Sequence, residues 1–127
     1  EPWKLLWARS RAAQEPVDRQ ACSMAMDSAG RALIIFGGFG ARTETDFLSD
    51  TWRFDLEDNV WAEIVPEDGG DVPESRASSS TAFDKDERVM YVFGGADRPS
   101  SAGVLVDMND LWALDVEEGT WREMQPS

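Results

Sequence analysis

The run Arg31-Ala-Leu-Ile-Ile-Phe-Gly-Gly38 occurs a second time in this chain, as Arg88-Val-Met-Tyr-Val-Phe-Gly-Gly95. Each copy is an apolar stretch of strand length that stops on two glycines. A chain with such internal self-similarity is built from repeated supersecondary units, none of which buries its apolar faces alone. Superimposing the two runs brings the rest of the sequence into register. Arg19 falls on Arg76, Ser23 on Ser80, Ala25 on Ala82 and Asp27 on Asp84 without a gap. Beyond a loop that is longer in the second copy, Asp50 falls on Asp110, Trp52 on Trp112, Asp55 on Asp115, Trp61 on Trp121, Glu63 on Glu123 and Pro66 on Pro126.

Each copy reads as four strands. The first, Gln20–Met26 and Ala77–Phe83, carries small and hydroxyl side chains suited to a crowded place. A turn at Asp27–Gly30 or Asp84–Glu87 leads to the second, Leu33–Phe36 and Met90–Phe93. That strand is apolar at successive positions, which predicts burial on both faces. The diglycines are expected to close it, because glycine permits positive φ and the close approach of another backbone. The third strand, Asp50–Leu56 and Asp110–Val116, alternates, with Trp52, Phe54 and Leu56 on one side and Thr51, Arg53 and Asp55 on the other. A tight turn with Asn59 or Gly119 at its left-handed position leads to the fourth, Val60–Val65 and Thr120–Gln125. Near the N-terminus, Trp3–Trp7 matches the fourth strand alone, and Pro16 stands before Arg19 as Pro73 stands before Arg76.

Composition narrows what such a fold can do. A length of 127 residues is that of one domain, and 42% apolar content with six tryptophans is ample for a core. The net charge of −13 repels phosphate backbones and anionic lipid, which argues against nucleic-acid and membrane partners. Cys22 is the sole cysteine, so no internal disulfide forms, and it reads as a small buried side chain. The apolar runs are far too short to span a bilayer. No leader-like stretch precedes them, and the chain opens Glu1-Pro2-Trp3 without an initiator methionine, as a processed, excised or incompletely given chain would. These features point to an intracellular, cytoplasmic setting.

No constellation of catalytic residues is legible. Ser78-Ser79-Ser80 has no histidine to activate it, since the chain has none. Asp55–Asn59 and Asp84–Glu87 offer oxygens but lack the spacing and central glycine of a calcium loop, and read as solvated turns. Gly37–Gly40 is not followed by the Lys-Ser/Thr of a phosphate loop. The expectation is a protein without catalytic activity, metal or cofactor.

A hydrophobic run ending in Gly-Gly, then Asp-x-Trp, an Asp three residues on and a second Trp, resembles the kelch repeat. The residues that carry the likeness are Phe36, Gly37, Gly38, Asp50, Trp52, Asp55 and Trp61, and again Phe93, Gly94, Gly95, Asp110, Trp112, Asp115 and Trp121. The resemblance implies an all-β, kelch-type β-propeller segment: two four-stranded antiparallel blades plus an orphan N-terminal strand. Residues 1–18 would be the outer strand of a preceding blade and a linking loop, 19–66 the first blade, 67–75 an inter-blade loop and 76–127 the second blade. Two blades cannot close a ring, so further blades are needed, from a longer chain or from other copies. The orphan strand favours the longer chain, because copies with two whole blades would leave it surplus. A different two-sheet arrangement is the remaining option.

In the family, the loops between strands two and three and those between blades tend to share one rim, where partner peptides bind. The resemblance therefore implies a protein–protein interaction module, a repeat-protein scaffold whose rim loops meet a partner. Arg42, Thr43, Asp97 and Arg98 are the candidate partner-binding residues, with Arg42 and Arg98 placed to clamp a carboxylate. Arg19 and Arg76 are expected to be structural, pairing with a loop carboxylate or carbonyl. Some relatives are enzymes, but a copper radical site needs histidines, and Tyr91 lies within a strand. A fragment of a propeller enzyme completed by other blades, or an architectural subunit of a large assembly, are the alternative roles. Valine at Gly38 or Gly95 is expected to destabilise, and changes at Thr45 or Ser101 to be tolerated.

Overall fold

A computed structural model describes residues 15–40, 47–97 and 104–126. Trp3–Trp7, Arg42, Thr43, Thr45, Arg98 and Ser101 lie outside the described residues. Among the described residues ten strands run in chain order: β1 (Arg19–Gln20), β2 (Ser23–Asp27), β3 (Ala32–Phe36), β4 (Phe39–Gly40), β5 (Thr51–Asp55), β6 (Val60–Glu63), β7 (Ser80–Asp84), β8 (Val89–Asp97), β9 (Val106–Asp115) and β10 (Thr120–Met124). They form two antiparallel four-stranded sheets, β2-β3-β5-β6 and β7-β8-β9-β10, and a small pair, β1-β4. Among the described residues the only helical turn is Glu67–Gly69. The fold is all-β, as the periodicity predicts.

The first strand of each sheet begins later than the sequence suggests. Ala21 and Ser78 adopt positive φ (58° and 62°), which breaks Gln20–Met26 and Ala77–Phe83 near their starts. The detached ends pair elsewhere: Arg19–Gln20 with Phe39–Gly40, and Ala77 with Ala96. The diglycine closes β3 but not its counterpart. In β8 the chain runs through Gly94-Gly95 to Asp97, with a register shift between Phe93 and Gly95. The glycines there form a bulge that re-aims the strand without ending it. β9 lengthens to match, starting at Val106 where the sequence pattern places it at Asp110.

The sheets lie face to face, and the core is the layer between them. Ala25, Ala32, Ile34 and Phe36 of the first meet Met90, Val92, Trp112, Leu114 and Trp121 of the second. Phe36 and Trp121 have ring centroids 5.0 Å apart, and the Trp121 indole N–H donates to Thr51 Oγ1 at 3.3 Å. Each large apolar side chain so buried contributes about 1.5–3 kcal/mol. Thr51, read as facing away from the apolar side of its strand, is thus buried against the neighbouring sheet. The prediction of burial on both faces holds for β3, where Ile34, Ile35 and Phe36 are all buried. It does not hold for β8, where Met90 and Val92 are buried but Phe93 is 50% exposed. Among the described residues, no third sheet lies on the outward face of the second sheet.

The hairpin turns follow the sequence reading. Asn59 and Gly119 take φ of 57° and 70°, and their N–H groups donate to the carbonyls of Asp55 and Asp115 at 2.8 Å. The Asp55 carboxylate accepts from the N–H groups of Glu57 and Asp58, and the Asp115 carboxylate from those of Glu117 and Glu118. The aspartate three residues after each tryptophan is therefore a turn former. Cys22, expected to be buried, is half-buried.

Candidate partner-binding rim

One end of the two sheets is fixed by a repeated four-group anchor. Arg19 donates through both terminal nitrogens to Asp50, at 2.5 and 2.8 Å, and to the Gly37 carbonyl at 3.1 Å. Arg76 does the same to Asp110, at 2.6 and 2.8 Å, and to the Gly94 carbonyl at 3.1 Å. The indole N–H groups of Trp52 and Trp112 donate to the second oxygen of Asp50 and Asp110, each at 2.8 Å. A guanidinium suits this position because its planar fork matches a carboxylate while its remaining N–H reaches a carbonyl. Arg19 and Arg76 thus take both partners the sequence offered, a carboxylate and a carbonyl. The same geometry explains the motif residues Asp50, Trp52, Asp110 and Trp112: aspartate holds arginine, and tryptophan holds aspartate.

These contacts move the carboxylates. Hydrogen bonding from Arg76, opposed by burial and reinforced by the Trp112 indole, lowers Asp110 to about 2 from 3.8. Burial pushes Asp50 up, but the Arg19 and Trp52 hydrogen bonds and the Arg19 charge outweigh it, so its pKa is also lowered. A carboxylate with a depressed folded pKa stabilises fully above its unfolded value, and that contribution is lost as pH falls through the folded value. Stability is therefore expected to fall from about pH 4 towards pH 2, by no more than ~2 kcal/mol for the Arg76–Asp110 pair. Urea midpoints measured across that window test this. Asp110→Asn should flatten the profile, and an unchanged acid limb would remove the assignment.

The anchor sets where the rim loops leave. The Gly38 N–H donates to the Arg76 carbonyl at 2.8 Å, the Arg76 N–H to the Leu48 carbonyl at 3.1 Å, and the Leu48 N–H to the Gly38 carbonyl at 2.8 Å. The inter-sheet segment that ends at Arg76 is thereby stitched to both ends of the loop after the first diglycine. Ser75 Oγ lies 3.0 Å from Asp97 Oδ2, joining the same segment to the start of the loop that follows β8. Of Arg42, Thr43, Asp97 and Arg98, only Asp97 is among the described residues, and it stands at this junction. Beside it opens a cleft of about 450 Å³ lined by Phe39, Phe47, Ala77, Ala96 and Leu105. The Phe39 and Phe47 rings lie 5.6 Å apart, and Leu105 is exposed. The sequence reading missed this cleft, although three large apolar residues in segments read as loops were its available signal. No group of three or more metal-ligating side chains occurs among the described residues. No helix among them is long and apolar enough to cross a membrane.

Known proteins are similar to this chain in sequence and fold. The KLHDC2/KLHL20/DRC7 Kelch-repeats domain family matches residues 3–127. Human Kelch domain-containing protein 3 is 33% identical over 88 residues, covering 65% of this chain and 22% of that protein. The Leucine-zipper-like transcriptional regulator 1 homolog of Drosophila melanogaster is 34% identical over 93 residues, covering 67% of this chain and 9% of that protein. The chain therefore spans less than a quarter of the length of these curated relatives. The solved structure of YjhT superimposes with a TM-score of 0.59 at 23% identity, over 88% of this chain and 29% of that one, a likeness of fold. With two stacked four-stranded sheets, a repeated Arg–Asp–Trp anchor beside each diglycine and a family match over nearly its whole length, this chain belongs to the kelch-repeat family and forms a segment of a kelch-type β-propeller.

Proposed function

We propose that the chain is a non-enzymatic protein–protein interaction module, part of a larger kelch propeller, that presents its rim loops to a partner protein. The observation that carries this reading is the junction at Arg76, where backbone hydrogen bonds and the anchor hold the roots of two loops of different sequence side by side. Loops that vary on a rigid frame are where recognition is placed. The cleft at Phe39, Phe47 and Leu105 would seat an apolar side chain of the partner, and Arg42 and Arg98 would clamp a neighbouring carboxylate. The residue divisions 1–18, 19–66, 67–75 and 76–127 belong to the same reading.

A displayed random-peptide library panned against the chain tests it. Selected peptides should pair an apolar residue with Asp or Glu. Arg42→Ala with Arg98→Ala should weaken the best of them by about tenfold or more, roughly 1.4 kcal/mol, with the melting temperature unchanged. Equal affinity after both substitutions, or no enrichment at all, would remove the rim as the binding face.

A further inference from the structure

The walls of the apolar cleft are held by backbone pairing. Gln20 pairs with Phe39, Phe39 bridges to Phe47, and Ala77 bridges to Ala96. Phe39, Phe47 and Leu105 supply apolar surface, while Gln20 and Ser78 add an amide and a hydroxyl. Neither polar side chain has a hydrogen-bond partner among the described residues. The volume of about 450 Å³ lies within the roughly 300–1,000 Å³ of small-molecule sites, more room than one side chain fills.

The charges on the segments that build these walls have one sign. Asp18 shortly precedes Gln20, Glu74 shortly precedes Ala77, and Asp107 stands opposite Ala96 in the ladder. All three are exposed, and none has an ion-pair partner among the described residues. The described cations are engaged or distant. Arg19 and Arg76 are held by Asp50 and Asp110, and Arg53 by Asp55. Arg88 crosses from the second sheet to Asp27 of the first, donating to both its oxygens at 3.1 and 2.8 Å. Arg31 and Lys85 stand in hairpin turns at the opposite end, and Arg122 lies in β10. The loops on either side bring no surplus of positive charge, since Arg42 and Arg98 are equalled in number by Glu44 and Asp46. An apolar cleft edged by unpaired carboxylates favours a partner that sets a cation beside its apolar groups.

With the rim as the binding face, on which this depends, we propose that the cleft takes an extended peptide segment with two large apolar side chains two residues apart, flanked by Lys or Arg. Side chains at that spacing share one face of an extended chain, so both enter the cleft. The peptide groups between them meet the Gln20 amide and the Ser78 hydroxyl. The flanking cation meets Asp18, Glu74 and Asp107, on the other side from the carboxylate that Arg42 and Arg98 would clamp.

Two fluorescent synthetic peptides, blocked at both ends, are the probes. Both contain Phe-Ser-Leu followed by Asp; one has two lysines ahead of the phenylalanine and the other two glutamates. Anisotropy titrations of the whole chain should show the lysine peptide binding about tenfold more tightly, with the difference shrinking as salt is raised. Glu74→Gln with Asp107→Asn should bring the two affinities together, and Glu74→Lys with Asp107→Lys should reverse their order. Leu105→Asp should abolish binding of both with the melting temperature unchanged. Failure of both peptides to bind, or equal affinities indifferent to the Glu74 and Asp107 substitutions, would overturn the proposal. Binding that falls with Arg42→Ala and Arg98→Ala but ignores Glu74 and Asp107 would leave the rim as the binding face and remove the cationic flank alone. Dimerisation of the chain in sedimentation, lost in Leu105→Asp, would give the cleft to a second copy and overturn the proposal as well.

Discussion

Arg76→Ala should cost this protein about 3–5 kcal/mol, enough to leave the second sheet's anchored edge unfolded at room temperature. Arg76 is 1% exposed and makes four side-chain hydrogen bonds: two to Asp110, one to the Gly94 carbonyl and one to the Glu74 carbonyl. Alanine removes all four donors, leaves the half-buried Asp110 carboxylate without its guanidinium, and leaves the Gly94 carbonyl with only the Ser79 hydroxyl as donor. Breaking such a pair is far costlier than never having built it, because desolvation of the remaining charge is no longer offset. Arg76→Lys is the discriminating control. It keeps the charge but cannot engage both Asp110 oxygens and a carbonyl together, so it should recover only part of the loss. Arg19→Ala should behave in the same direction, since its side chain is 5% exposed on the same three-point anchor. Urea unfolding followed by tryptophan fluorescence reads both, because Trp52 and Trp112 sit on the anchoring aspartates. A midpoint for Arg76→Ala indistinguishable from the wild type would mean that the anchor is decorative.

The strands were legible because their signals are local: apolar runs of strand length, turn formers at the breaks, and a repeat that checks each reading twice. The structural role of Arg19 and Arg76 was legible for the same reason. Three features were not. Positive φ at Ala21 and Ser78 falls on residues with no preference for that region, so tertiary contacts impose it: the Ser78 N–H donates to the Ala21 carbonyl at 2.9 Å, between the two units. The Arg88–Asp27 bond joins positions that self-alignment places in different copies. Superimposing units shows which residues are equivalent, but not which units touch. The apolar cleft lies partly in β8 and in segments whose composition resembles a loop, and strand periodicity is silent there.

Burial carries the same lesson. Identical motif positions in β3 and β8 have different environments because, among the described residues, one sheet is covered on the face where the other is bare. Phe36 and Phe93 cannot be told apart by sequence, yet one is 1% and the other 50% exposed. A repeat protein's sequence therefore encodes the unit better than the unit's place in the stack. That place must come from the neighbour.

Gly95→Val is expected to be the most damaging single change in the second sheet, and Gly38→Val its equal in the first. Gly95 has φ of +100°, where a β-branched residue is strained by roughly 1–3 kcal/mol before any contact is counted. A Cβ built there would lie 2.8 Å from the Ala77 carbonyl oxygen and 2.5 Å from Ser79 Oγ. At Gly38, with φ of +96°, it would lie 2.7 Å from the Gln20 carbonyl oxygen and 3.2 Å from Cys22 Cα. Backbone cannot yield as a flexible side-chain tip can, so the strand must move. Moving it would pull apart the Ala77–Ala96 bridge in one sheet and the β1–β4 pair in the other. The carbonyls of Gly37 and Gly94 are held by Arg19 and Arg76, so the displacement would be transmitted to the anchor as well. Alanine at the same positions separates the causes: it brings the Cβ and the φ penalty without branching, and should cost less than valine while remaining clearly destabilising. Thermal unfolding by circular dichroism should show both valine variants largely unfolded at 37 °C or below. If either kept the wild-type midpoint, the positive-φ diglycine could not be the point at which neighbouring strands pass closest, and the geometry of the rim would have to be redrawn.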